Sequence, residues 1–304
     1  MPFSAENEER PLGGLVPARP LADDVATARR TLTLPDGYPT AVIHHRPLPA
    51  PAEPGGPVLY AHGIQSHPGW FVGSAQALAR AGHEVFQVTR RGSGDAATAR
   101  GDAPSAAALI ADTAAAVEWI RAETGADRVC LLGVSWGGKL MVLHAIRRPE
   151  TVRSLTLVAP GIKPSVGVGW PVRLAIAACR ICCPRRRFDI PLNDPALFTD
   201  SPDMQRYLRE DPHRLHRATA RLLVASALLD RRVARAKAGS VTAPTSLLLA
   251  RRDRIIDNAA TARLLERLTA GAVRITEFDA AHTIEFEPDV GGFYDALLAA
   301  VRAE

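Results

Sequence analysis

The chain has 304 residues, enough for one large α/β domain with an insertion or for two small domains. Hydrophobic residues make up 47%, an ordinary supply for a globular core. Net charge is only +5, and the arginines are spread through helix-compatible stretches, so the composition points away from nucleic-acid binding.

Residues 1–28 are rich in Pro, Gly, Ala and charge, and read as a loosely ordered lead-in. Residues 1–10 contain no apolar run of the signal-peptide kind, and no uncharged run approaches the ~18 residues of a membrane span. Strands are expected at 30–34 and 40–45 around the turn Pro35-Asp36-Gly37. A proline-rich loop, 47–57, leads to a short buried strand at 58–61 that ends in His62-Gly63. A helix follows at 70–81, stopped by Gly82. The strand at 84–88 opens into the loop Arg90-Arg91-Gly92-Ser93-Gly94. Residues 104–124 form a long Ala-rich helix. The apolar run 129–134 is a strand, 139–147 a helix and 154–158 a strand.

Between 162 and 240 this alternation stops. That stretch is helical and rich in Arg and Pro. Strands return at 245–250 and 272–277, with helices at 259–268 and 290–303. Alternating strands and helices with long connections imply an α/β fold: a mostly parallel sheet flanked by helices on both faces. The core is 29–161 plus 241–304, and 162–240 is a helical cap over the carboxyl edge of the strands, where ligands bind in such sheets.

Gly133-Val134-Ser135-Trp136-Gly137 sits between a strand and a helix, the setting of a nucleophile elbow. Glycine is needed on both sides because a Cβ there would strike the neighbouring strand or helix. Ser135 then stands clear of the backbone, with the free N–H groups of the following helix nearby. A serine needs a base, and the base an orienting acid. His282 follows the last strand of the sheet and opens onto the same edge. Asp253 follows the strand at 245–250. Asp257 is better suited to capping the next helix. The order Ser135, Asp253, His282 is the one expected for this elbow. The oxyanion donors are expected to be the backbone N–H groups of Trp136 and Ile64. His67, in the same loop, and Trp170 and Ile176, in the cap, are candidate substrate-lining residues.

These motifs resemble those of α/β-hydrolase-fold serine hydrolases, in particular the monoacylglycerol lipase-like and lysophospholipase-like branch. The matching stretches are His62-Gly63-Ile64-Gln65-Ser66-His67, Gly133–Gly138, Asp253-Arg254-Ile255-Ile256 and His282-Thr283-Ile284-Glu285-Phe286. The cap run Phe198-Thr199-Asp200-Ser201-Pro202 has the same look. One departure stands out: relatives often carry Asp-x-Arg-Gly-His-Gly where this chain has Thr89-Arg90-Arg91-Gly92-Ser93-Gly94. The resemblance implies hydrolysis of a lipophilic or small-to-medium carboxylic ester, with no metal or organic cofactor. A thioesterase, an acyltransferase or a non-hydrolytic biosynthetic enzyme would use the same site. A non-catalytic binding protein on this fold would usually have a broken triad.

Residues 169–187 mix apolar residues with Arg185-Arg186-Arg187. The plain reading is a cap helix packed on the core; the other is weak contact with a membrane surface. Cys179, Cys182 and Cys183 lack partners for a zinc site and read as reduced thiols, as expected for a cytoplasmic chain. The expected partner is a small-molecule ester.

Overall fold

The computed structural model describes residues 11–52, 54–289 and 291–303. The chain opens with the antiparallel hairpin β1 (Val25–Thr33) and β2 (Pro39–Pro47). β3 (Val58–Ala61), α1 (Val72–Arg80), β4 (Val85–Val88), α2 (Ala106–Thr124), β5 (Val129–Val134), α3 (Gly137–Arg147) and β6 (Val152–Val158) then alternate. The insertion that follows holds α4 (Trp170–Cys182), β7 (Arg187–Asp189), α5 (Pro202–Glu210), β8 (Arg217–Thr219) and α6 (Ala220–Arg235). The fold closes with β9 (Thr245–Ala250), α7 (Asn258–Leu268), β10 (Val273–Phe278) and α8 (Gly291–Val301).

The main sheet has eight strands in the order β1-β2-β4-β3-β5-β6-β9-β10. From β4 to β10 every neighbouring pair is parallel. β3, β5 and β9 are nearly continuous apolar runs because helices cover both faces. α1 packs with α8, and α2 with α3. This is the mostly parallel, helix-flanked sheet expected from the alternation.

Two expectations need correction. The first strand starts at Val25, inside the supposed lead-in, and residues 11–24 are not loose. Leu12 and Leu15 are buried against Ile43 and Val72, and the Ala18 N–H donates to the Gly69 carbonyl at 2.8 Å. A coil held by tertiary contacts, such as the Arg80–Asp24 ion pair and the Tyr207 hydroxyl on the Val16 carbonyl, leaves no periodic signal in the sequence. Residues 1–10 and Val290 lie outside the described residues. The cap, expected to be helical, also contains a two-stranded antiparallel sheet, β7–β8. Its helices differ in how they are seated. α6 buries Leu222, Ala225, Leu229 and Val233, whereas α4 buries only Ile176 and Cys179. Among the described residues no helix is long and apolar enough to cross a membrane.

Candidate active site

β5 runs straight into the elbow, and the turn puts Ser135 at φ 51°, the left-handed region that serine rarely occupies. Such strain persists only where the surroundings enforce it. A Cβ on Gly133 would lie 2.7 Å from the Gly138 Cα, and one on Gly137 would lie 2.5 Å from the Ala61 carbonyl oxygen. The close approach of α3 to the sheet therefore excludes any other residue at either position.

Three side chains from separate loops converge at this edge. The Ser135 hydroxyl lies 2.8 Å from His282 Nε2, and His282 Nδ1 lies 2.7 Å from Asp253 Oδ2. The Asp253 side chain is fully buried, and its other oxygen accepts the Ile255 and Ile256 N–H groups at 2.7 and 3.1 Å. Among the described residues, no Arg or Lys pairs with this carboxylate; those bonds and His282 fix it. Asp257 caps α7 through the Ala260 N–H, as its position suggested.

The loop after β3 closes the other side. His62 Nδ1–H donates to the Gly63 carbonyl at 2.9 Å, and His62 Nε2 accepts the Arg90 backbone N–H at 3.0 Å. Burial, reinforced by the Arg90 charge, pushes the His62 pKa down to about 3, so this imidazole is neutral. The peptide that it grips carries the Ile64 N–H. Among the described residues, the N–H groups of Ile64 and Trp136 have no protein acceptor. Both are free to serve an oxyanion.

Beside the serine is a small, partly open pocket, lined by Ile64, Trp70, Phe71 and Val134 from the core and by Leu192 and Phe198 from the cap. The expected lining residues are elsewhere. His67 is fully buried; its Nδ1 accepts the Gly69 N–H at 3.1 Å, and its Nε2–H donates to Asp211 at 2.9 Å. It is a strut between the loop after β3 and the cap, not a pocket wall. Trp170 is 72% exposed on α4, and Ile176 is buried inside the cap against Cys179 and Ala220. An apolar helical pattern does not say which face meets the site. The actual cap wall, Phe198, lies in the run that resembled the lipase branch; nothing local marked Leu192.

Two buried arginines brace the loop after β3. Arg214 grips the Gln65 side-chain oxygen with both Nε and Nη2 at 3.1 Å and also donates to the Leu208, Leu192 and Asn193 carbonyls. Arg90 donates to the Ile64 carbonyl at 2.9 Å. In the loop that departs from its relatives, Arg91 makes bidentate pairs with both Asp36 and Asp112. Among the described residues no cluster of side chains is suited to holding a metal ion.

The family described as "Serine aminopeptidase, S33" matches residues 52–289. That span covers the elbow, the cap and the His282 loop. The chain belongs to this family of α/β-hydrolase-fold enzymes. Solved structures agree on the fold of this hydrolase. It is 16% identical to a soluble variant of the monoglyceride lipase of Saccharomyces cerevisiae, with TM-score 0.82 and coverage of 94% of this chain and 98% of that one. The monoacylglycerol lipase of Paleococcus ferrophilus is 23% identical, with TM-score 0.73 over 91% and 98% of the two chains. A thermostable carboxyl esterase from Bacillus coagulans, solved with glycerol, is 13% identical, with TM-score 0.75 over 91% and 99%.

Proposed function

We propose that this hydrolase cleaves carboxylic esters of lipophilic, small-to-medium acids through an acyl-enzyme on Ser135. The observation that carries this reading is the unbroken chain Ser135 Oγ, His282 Nε2, His282 Nδ1, Asp253 Oδ2, with both links at 2.8 Å or less. His282 accepts the hydroxyl proton as Ser135 attacks the ester carbonyl. Asp253 holds the imidazole in the needed tautomer and stabilises its charged form. The Ile64 and Trp136 N–H groups take the oxyanion, and the protonated imidazole then gives its proton to the leaving alcohol. Water, deprotonated by His282, releases the acid in a second, equivalent half-reaction.

The apolar pocket supports a hydrocarbon acyl group, and its small size favours a short one. The lipase and esterase neighbours support the same substrate class. A panel of p-nitrophenyl esters tests it: butyrate and octanoate should turn over faster than palmitate. Ser135→Ala should lower kcat by about 10⁴-fold or more with the fold intact by circular dichroism. Undiminished turnover in that variant rules out the assignment.

We further propose that the cap meets anionic lipid surfaces through α4. Trp170, Leu174 and Ile181 are 72%, 60% and 87% exposed on a helix that has no acidic residue. Exposed Arg173 and Arg180 lie on the same helix, and exposed Arg185 and Arg186 follow it directly. Aromatic and aliphatic exposure with a basic rim suits an anionic bilayer, while a second copy of this face would repel it. The protein should sediment with phosphatidylglycerol vesicles at physiological salt and not with phosphatidylcholine vesicles. No sedimentation with either, or self-association without lipid, removes this part of the reading.

A further inference from the structure

We propose that Arg90 is a positioning residue for the oxyanion hole, holding the Ile64 loop and bracing the Trp136 indole from behind. The inference rests on the reading of Ser135 as nucleophile.

Arg90 follows β4 in the loop where relatives often carry a different sequence. It is buried, 8% exposed, and among the described residues it forms no ion pair. Its guanidinium donates to the carbonyls of Ile64 at 2.9 Å and Arg91 at 3.4 Å, and its Nε has no acceptor. It shares a largely apolar cavity with Leu59, Val88, Leu140 and Met141; Asp112 also lines that cavity, but both its oxygens are taken by Arg91. Burial pushes its pKa down only to about 10, so it remains charged at neutral pH.

An uncompensated buried charge is expensive, and a fold keeps one where it serves the site. Arg91, the next residue, shows the usual solution with its two carboxylates. So does Lys139, which faces the same indole 5.4 Å from the ring centroid but is paired with Asp230. Arg90 lies 5.0 Å from that centroid and has no such partner. Its contacts instead fall on the two residues that carry the oxyanion donors. The guanidinium holds the Ile64 carbonyl. The backbone N–H fixes His62, whose Nδ1–H in turn grips the Gly63 carbonyl of the donor peptide. The ring contact fixes Trp136. The unbalanced positive charge also favours negative charge developing in the hole. Arg90 is not among the residues that line the substrate pocket, so it acts through these neighbours.

The test compares wild type, Arg90→Met and Arg90→Lys in the full chain. Fluorophosphonate labelling is measured first, because phosphorylation of Ser135 also builds negative oxygen in the hole and needs no known substrate. Arg90→Met should label on the order of tenfold more slowly, less than the ~10²–10³-fold of deleting a donor outright. With a p-nitrophenyl ester, kcat should fall in parallel while KM stays within about twofold. Affinity for an alkyl boronic acid, which mimics the tetrahedral state, should fall by the same factor as kcat. Arg90→Lys keeps the charge without the fork and should recover most of the loss. If Arg90→Met does not fold, Arg90→Lys alone should show a slower labelling rate with unchanged KM. Wild-type labelling by Arg90→Met, a change confined to KM, or a kcat loss without loss of boronate affinity overturns the proposal while leaving Ser135 as nucleophile. Failure of wild type to label at Ser135 overturns the nucleophile reading itself, and this inference with it.

Discussion

Two buried histidine–aspartate pairs flank the pocket, and they differ in one partner. His282 pairs with Asp253 at 2.7 Å, and His67 pairs with Asp211 at 2.9 Å. In the first pair the remaining ring nitrogen faces the Ser135 hydroxyl; in the second it accepts the Gly69 backbone N–H. Burial raises the Asp211 carboxyl, but bonds from His67 and Trp70 outweigh this and leave it below its ordinary range. A satisfied imidazole is a strut. An imidazole whose last nitrogen meets an ionisable hydroxyl can carry a proton. The pair alone does not distinguish the two cases; the third group does.

Removing the charge from each carboxylate sharpens this contrast. Asp253→Asn should lower kcat by about 10⁴-fold while the melting temperature changes little, because the His282 tautomer is lost and the packing is not. The equivalent change in the strut, Asp211→Asn, comes last in size. It should destabilise the fold by about 1–3 kcal/mol in urea unfolding and leave kcat within about tenfold of wild type. Equal kinetic losses in both variants would erase the distinction between strut and relay.

Between these lies the anchor of the His282 loop. Glu285 is buried, and its carboxylate accepts the Ser74 N–H at 2.8 Å and the Ser74 hydroxyl at 2.5 Å. Burial pushes its pKa up to about 7 despite those bonds. Because the folded pKa lies above the unfolded one, the folded state holds the extra proton. Its contribution is fully present below about pH 4.5 and is lost as pH rises through 7, a span of about 3 kcal/mol. The wild-type melting temperature should fall between pH 5 and pH 8, and Glu285→Gln should flatten that fall. Parallel curves for the two proteins would show that Glu285 does not titrate in that window.

What the sequence made legible follows from how local each cause is. The elbow was readable because strand, turn glycines and helix adjoin within a few residues. Asp253 and His282 were readable because each follows a strand of the same parallel sheet. The His67–Asp211 strut was not, since its partners are 144 residues apart and meet only when the cap docks. Trp170 and Ile176 were assigned to the pocket from an apolar pattern, but α4 turns most of that pattern to solvent. Only its small Ile176–Cys179 face packs, against Ala220 of α6. The start of β1 at Val25 was missed because Ala26, Ala28 and Arg29 in this edge strand break the expected alternation.

The tight collar around Ser135 also determines where this enzyme can be redesigned. Added side chains at Gly133, Gly137 and Gly138 would lie within 2.7, 2.5 and 2.6 Å of neighbouring atoms, and one at Gly161 would lie 3.1 Å from the Trp136 nitrogen. The floor is closed to variation, so selectivity has to be rewritten from the roof. Leu192 and Phe198 are on the insertion, where volume can be added or removed without touching the sheet. A library confined to those two positions should change acyl preference while sparing the folding yield that any library in the collar would lose.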